Sequence, residues 1–202
     1  MYPQLHVIST GEDSAEQLLA KVSDIHHDID FIHLREMHWT EKEVKKTANQ
    51  LMKVGVPREK IIINTLAQVA HTVGVQGVQL PSNQGNLTKV KKMYPELIVG
   101  SSVHSVSEAI SKEKEGADYL MFGHVFASDS KRDKAPRGIQ ALQEVIDLVR
   151  IPVIAIGGIT PSVTKKVLHT GAGGIAVLSG ILKSKEVKKA VHQYKQAMEG
   201  WE

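Results

Sequence analysis

One histidine and the loop that follows it are well placed for chemistry in this sequence. His124 comes directly after Gly123 at the end of an apolar run, and the next residues include Ser128, Ser130 and Lys131. A histidine exchanges protons near neutral pH because its ordinary pKa is about 6.5. The residues alone leave open whether His124 is a general acid and base or a structural side chain. The loop is long for its position, which favours a lid over an anion rather than a solvated connection.

Two glycine motifs indicate a phosphate site. The first, "AIGGITP", contains Gly157 and Gly158, and the second, "AVLSGI", contains Leu178, Ser179 and Gly180. Glycines let backbone N–H groups approach an anion, and a helix N-terminus adds unpaired donors and a partial positive charge. The alternative is that these glycines only permit tight turns. The pairing of the two motifs favours phosphate binding.

Arg35 and Ser102 complete the candidate ligand contacts. Arg35 follows an apolar run, and its guanidinium can donate two parallel hydrogen bonds to a carboxylate or a phosphate. The alternative is that Arg35 pairs with Glu36 or with an acid of a neighbouring strand at the barrel mouth. Ser102 directly follows another apolar run, and His104, close behind it, is interpreted first as a structural or capping residue.

The elements that position these residues alternate regularly along the chain. Eight short β-branched runs are predicted strands: 5–9, 31–35, 60–64, 77–80, 97–101, 118–122, 152–156 and 173–177. Each is followed by a segment of helical period. Repeated βα units imply parallel strands with right-handed crossovers, so we predict an α/β fold, a (β/α)8 TIM barrel, as a single domain over residues 1–202. An open doubly wound sheet is disfavoured because no leading glycine fingerprint is found. In such a barrel the site lies at the carboxyl ends of the strands.

Composition excludes several classes of protein. The chain has 202 residues, of which 42% are hydrophobic, and its 25 basic and 22 acidic residues leave a net charge of +3. This charge is spread out, which argues against a nucleic-acid partner. The absence of cysteine excludes disulfides, thiol nucleophiles and metal–thiolate sites. No signal peptide and no long apolar segment are recognised, so we predict a cytoplasmic protein without a membrane partner.

The order of motifs resembles the thiamine-phosphate synthase superfamily over essentially the whole chain. The segments that carry the resemblance are "FIHLRE", "INTLAQVA", "GVQLPS", "GSSVHSVSEA", "GADYLMFGHVFASDSK", "PVIAIGGITP" and "GAGGIAVLSGI". Within the superfamily the chain looks most similar to the thiazole tautomerase, or TenI, branch because of where it departs from the synthase pattern.

The departures affect the residues that bind Mg²⁺ and diphosphate in the synthases. The synthases have an Asn-Asp pair after the third strand, where this chain has Asn64 and Thr65. They have an aspartate after the fourth strand, and the residue near that position here is Gln84. The lysine that follows their Arg-Glu pair is Met37 in this chain. Without carboxylates a hard divalent cation lacks its preferred ligands. The resemblance therefore implies absent or feeble synthase activity and no bound metal.

The resemblance implies a cofactor-independent isomerase. His124 stands where the synthases have proline. We expect the protein to convert 2-carboxy-4-methylthiazol-5(2H)-ylidene ethyl phosphate into the aromatic 2-(2-carboxy-4-methylthiazol-5-yl)ethyl phosphate. Removal of His124 should lower the rate roughly 10²–10⁴-fold. The glycine motifs would hold the phosphate, and Arg35, Ser128, Ser130 and Lys131 would face the carboxylate. Two alternatives stay open: a residual thiamine-phosphate synthase, and a non-catalytic regulator that binds a thiazole phosphate. A homodimer is a family-level expectation.

Overall fold

Eight parallel strands close into a barrel in this computed structural model, which describes residues 2–83, 86–128, 131 and 134–199. The strands are β1 Gln4–Ile8, β2 Phe31–Leu34, β3 Ile61–Asn64, β4 Gly77–Leu80, β5 Ile98–Val103, β6 Tyr119–Gly123, β7 Val153–Ile156 and β8 Gly174–Val177. Each strand pairs with its neighbour in chain order, and β8 closes the barrel on β1. The predicted TIM barrel is confirmed.

Helices surround the barrel. In the described part of the chain they are α1 Ala15–Ile25, α2 Glu41–Lys53, α3 Ala67–Val73, α4 Leu87–Met93, α5 Val106–Lys114, α6 Gly138–Leu148, α7 Pro161–Leu168, α8 Ser179–Leu182 and α9 Val187–Met198, with a 3-10 turn at Arg58–Lys60. Ser14 and Thr40 begin α1 and α2 with reciprocal capping boxes. Within these residues, no helix is both long and apolar enough to cross a bilayer.

Alternate residues of the strands build two separate layers of packing. Side chains such as Leu5 and Val7 point outward and join the large core between the strands and the helices. The residues between them point into the barrel, where Ile8, Met121 and Ile154 belong to a second, smaller apolar cluster. This inner cluster forms the base on which the mouth of the barrel rests.

Candidate functional site

A cavity of about 1660 Å³ opens at the carboxyl ends of the strands. Its lining includes apolar side chains of the inner cluster, and polar residues of the loops surround them. Ten of the predicted site residues line this cavity together: Arg35, Ser102, His124, Ser128, Lys131, Gly157, Gly158, Leu178, Ser179 and Gly180. Ser130, the remaining one, lies outside the described residues. The structure therefore brings the candidates together, while their roles stay predictions.

His124 is held in the cavity wall by backbone contacts on both sides. Its ring is buried, and Nε2 donates a hydrogen bond to the carbonyl oxygen of Lys134 at 3.1 Å. Because a carbonyl can only accept, Nε2 carries the hydrogen of this bond, and Nδ1 is the ring nitrogen left for a ligand. The carbonyl of the preceding Gly123 accepts from His104 Nδ1 at 2.6 Å and from Arg137 Nε at 3.2 Å. His104 thus supports the peptide that carries His124.

The glycines after β7 are required by close packing against the loop after β6. Gly157 has φ 102°, and a Cβ built on it would lie 2.3 Å from Cβ of His124. Gly158 has φ 64°, and its Cβ would lie 2.3 Å from the carbonyl oxygen of Ala127. Any side chain here would separate the two loops, and the positive φ values also disfavour other residues. The glycines therefore bring His124 directly beside the predicted phosphate position.

The second glycine motif opens the helix after β8. Helix α8 begins at Ser179, so the N–H groups of Ser179 and Gly180 have no intrahelical acceptor. Both residues line the cavity. Backbone donors from two adjacent loops can therefore approach one anion, as expected for a phosphate site in a barrel of this type.

Positive charge is concentrated on another part of the cavity mouth. Partial desolvation lowers the pKa of Lys131, and the nearby charges of Lys134, Arg137 and Arg35 lower it further. Within the described residues, the cavity lining contains one carboxylate, Glu12, which pairs with Lys183. The mouth is therefore suited to anionic ligands.

The alternative partner of Arg35 is oriented differently. Glu36 is buried, and burial raises the pKa of its carboxyl group. No ion pair joins it to Arg35 within the described residues. The backbone N–H of Arg35 instead donates to Ser9 Oγ at 2.8 Å. The Arg35 side chain lines the cavity.

The interior beneath the cavity contains several buried polar groups. His33, on β2, lies fully buried inside the barrel, where its Nε2 is 2.9 Å from Nδ1 of His6. Burial lowers the pKa of His33 to about 3 and that of His6 well below its ordinary value, so both rings are neutral. Above them, Gln79 Nε2 donates to Ser102 Oγ at 3.1 Å. This polar floor depends on pairing between strands, which leaves no local signal in sequence.

The described residues do not fit a divalent cation of the synthase kind. Mg²⁺ prefers several oxygen ligands with at least one carboxylate. No group of three or more His, Asp or Glu side chains suited to a metal occurs in the parts of the chain that the structure describes. Asn64 supplies an amide, its neighbour is a threonine, and Gln84 lies outside the described residues. These residues therefore provide no cage for such an ion.

Comparison with known proteins gives one consistent result. A family model described as thiamine monophosphate synthase (TMP-TENI) matches residues 5–181. Thiamine-phosphate synthase of Pyrococcus horikoshii is 37% identical over 165 residues, covering 82% of this chain and 77% of its own. The corresponding protein of Shouchella clausii is 35% identical over 177 residues, covering 85% and 83%. The solved structure of thiamine phosphate pyrophosphorylase from Pyrococcus furiosus superposes with a TM-score of 0.85 at 30% identity, covering 98% of this chain and 96% of that one.

These relatives correct the prediction of an isomerase. The expected tautomerase rested on His124 and on a few replaced residues, whereas relatives that align with about four fifths of the chain are named as synthases. The prediction of a thiazole tautomerase is wrong by this comparison. The alternative of a residual synthase, stated from the same sequence, agrees better with it.

Proposed function

Because the chain belongs to the thiamine monophosphate synthase family, we propose that it is a slow thiamine-phosphate synthase. It would join a thiazole phosphate to a pyrimidine carried as a diphosphate. The carbon–oxygen bond of the pyrimidine methylene group breaks, and its electron pair leaves with the diphosphate. The thiazole nitrogen donates its lone pair to form the new carbon–nitrogen bond. The single observation that carries this proposal is the family match across a barrel with a phosphate-type cavity.

The acceptor phosphate is assigned to the glycine loops after β7 and β8. Backbone N–H groups of Gly158, Ser179 and Gly180 are suited to a phosphate because they are preformed donors that cost little ordering on binding. Because Gly157 has no side chain, the loop after β7 packs directly against His124. The thiazole ring would then extend from the loops toward the centre of the cavity.

The donor diphosphate is assigned to Arg35 and Lys131, with Ser128 and Ser130 as further hydroxyl donors. Arginine suits a diphosphate because its fork donates two parallel hydrogen bonds. The two cations supply positive charge where the described residues offer no carboxylate cage for an ion. Charge from side chains alone stabilises a departing diphosphate less completely than a directly coordinated ion. This is why we propose slow turnover.

His124 is assigned to the region between the two anions. Protonated at Nδ1, its ring donates that proton to the leaving oxygen of the diphosphate, while Nε2–H stays bonded to Lys134. The proton balances charge that develops on the leaving group. The hydrogen bonds around Gly123 hold the ring for this task.

A second candidate is a non-catalytic protein that binds a thiazole phosphate. The observation that favours it is the shortage of carboxylates among the described residues of the cavity. Such a protein would use the same glycine loops without turnover. The two candidates therefore predict the same binding and different chemistry.

One assay separates them. Purified protein is incubated with the thiazole phosphate and the pyrimidine diphosphate, with Mg²⁺ or with EDTA, and thiamine phosphate is measured by chromatography. We expect protein-dependent product that requires both substrates and changes little between Mg²⁺ and EDTA. Tight binding of the thiazole phosphate without product would favour the regulatory candidate. A failure to bind it would contradict both.

A further inference from the structure

The last helix carries a tyrosine into the site from outside the family match. Tyr194 lies on α9, whereas the match ends at residue 181. Sequence period alone assigns Tyr194 to the packing face of an amphipathic helix. Its ring is indeed buried, and it also contributes to the lining of the cavity. Packing alone does not explain where its hydroxyl group lies.

The hydroxyl group of Tyr194 contacts both glycine loops. It donates a hydrogen bond to the carbonyl oxygen of Ile159 at 2.9 Å, in the loop after β7. The same oxygen lies 2.3 Å from where a Cβ on Gly180 would be, in the turn after β8. A real Cβ atom does not approach an oxygen so closely. The Tyr194 hydroxyl can therefore lie at this position only because residue 180 is a glycine. One hydroxyl therefore connects two loops that are separate in sequence.

From this contact we infer that Tyr194 is a positioning residue for the phosphate site, an inference that rests on the phosphate assignment within the proposed function. Its hydrogen bond turns the Ile159 carbonyl toward the protein, because an oxygen engaged with the hydroxyl cannot face the anion. The N–H groups beside it are then free to meet the phosphate. Its contact with Gly180 sets the distance between the two loops.

The hydroxyl group is a dependable donor. Burial raises the pKa of Tyr194, so the group stays protonated throughout the neutral range. Helix α9 also packs against α7 and α8, the helices that follow the two loops. The helices that support Tyr194 are therefore the ones that follow the two loops its hydroxyl contacts.

Two variants and their combination test the inference by calorimetric titration with the thiazole phosphate. Tyr194→Phe keeps the ring and removes the hydroxyl, and we expect affinity to fall about fivefold, the usual value of one hydrogen bond. Gly180→Ala should weaken binding more because the new methyl group overlaps the hydroxyl oxygen. In the double variant that overlap is relieved, so it should bind more tightly than Gly180→Ala alone. Tyr94→Phe, at the residue that follows α4, is the matched control and should bind as the parent does.

The outcomes are separable from those of the synthase assay. If turnover is absent but Tyr194→Phe still weakens thiazole phosphate binding, the inference stands and the proposed reaction fails. If Tyr194→Phe binds as tightly as Tyr94→Phe, or the double variant binds no better than Gly180→Ala, the inference is wrong. If these variants retain turnover, their KM for the thiazole phosphate should rise while kcat stays the same. A general loss of folded protein would instead lower kcat.

Discussion

Two sides of the cavity mouth recognise anions in different ways. After β7 and β8 the contacts come from backbone, and Gly157 is packed against its neighbours so closely that a methyl group would overlap them. On the other side Arg35 and Lys131 reach the cavity with long side chains, and their neighbours are other cations. Backbone recognition depends on shape and tolerates little change. Side-chain recognition depends on charge and adapts to different ligands.

The largest expected effect is on the backbone side. Gly157→Ala introduces a Cβ at 2.3 Å from His124 Cβ and forces alanine to φ 102°. We expect thiazole phosphate affinity to fall by at least about 100-fold and the melting temperature to drop, because both loops must move. Titration and thermal unfolding measure these changes.

Gly74→Ala is the control for backbone conformation. Gly74 has φ 75°, but a Cβ there would meet nothing within 4 Å. It should cost only about 1 kcal/mol for the left-handed backbone and leave binding unchanged. Equal binding by Gly157→Ala and its parent would refute the distinction between the two sides.

The next effect concerns the residue between the two sides. His124→Asn removes the imidazole ring, and we expect turnover to fall roughly 10²-fold while thiazole phosphate affinity stays near that of the parent. Steady-state kinetics and titration separate the two quantities. His169→Asn, an exposed histidine at the end of α7, is the control. Unchanged turnover in His124→Asn would remove His124 from the mechanism.

A smaller effect is expected on the side-chain half of the mouth. Arg35→Ala should weaken binding of the pyrimidine diphosphate about tenfold, since one charge-assisted contact is lost, and should leave the thiazole phosphate almost unaffected. Added salt should reduce the difference because exposed charges are screened. Arg58→Ala, at the opposite end of the barrel, should change neither affinity. Equal losses for both ligands would show that the two sides are not separate.

Features that depend on neighbouring residues are predicted well from the sequence, whereas features that depend on contacts between distant segments are not. Strand positions follow from local alternation, and observed bounds such as Gly77–Leu80 agree with those predicted. The four-residue helix Ser179–Leu182 was not predicted as a separate element because it is too short to show helical period. The close approach of Gly157 to His124 depends on contact between distant segments, and only the presence of glycine hinted at it. The isomerase prediction failed because it weighed a few local replacements above similarity along the whole chain.

The smallest effect on ligand affinity is expected from the buried pair of histidines below both sides. Because the pKa values of His6 and His33 are lower in the folded protein than in the unfolded chain, protonation favours unfolding. Their contribution to stability is complete above about pH 6.5 and is lost as the pH falls toward about 3. Gln4 and Tyr119 face the pair and carry no charge in this range.

Denaturation at several pH values tests this expectation. Each of the two histidines should add roughly 1.4 kcal/mol per pH unit to the loss of stability below pH 6. His33→Gln should reduce this dependence, and the exposed His169→Gln should not. The affinity of folded His33→Gln protein for the thiazole phosphate should differ little from that of the parent. Parallel pH profiles for the two variants would contradict the buried, neutral state of the pair.

The most direct test of the central claim, that backbone loops after β7 and β8 bind a phosphate, compares two ligands that differ only in that group. Calorimetric titrations would be made with the thiazole phosphate and with the same thiazole alcohol lacking phosphate. We expect the phosphorylated compound to bind at least about 100-fold more tightly, as two charge-assisted hydrogen bonds would give. Equal affinity for the two compounds would contradict the claim.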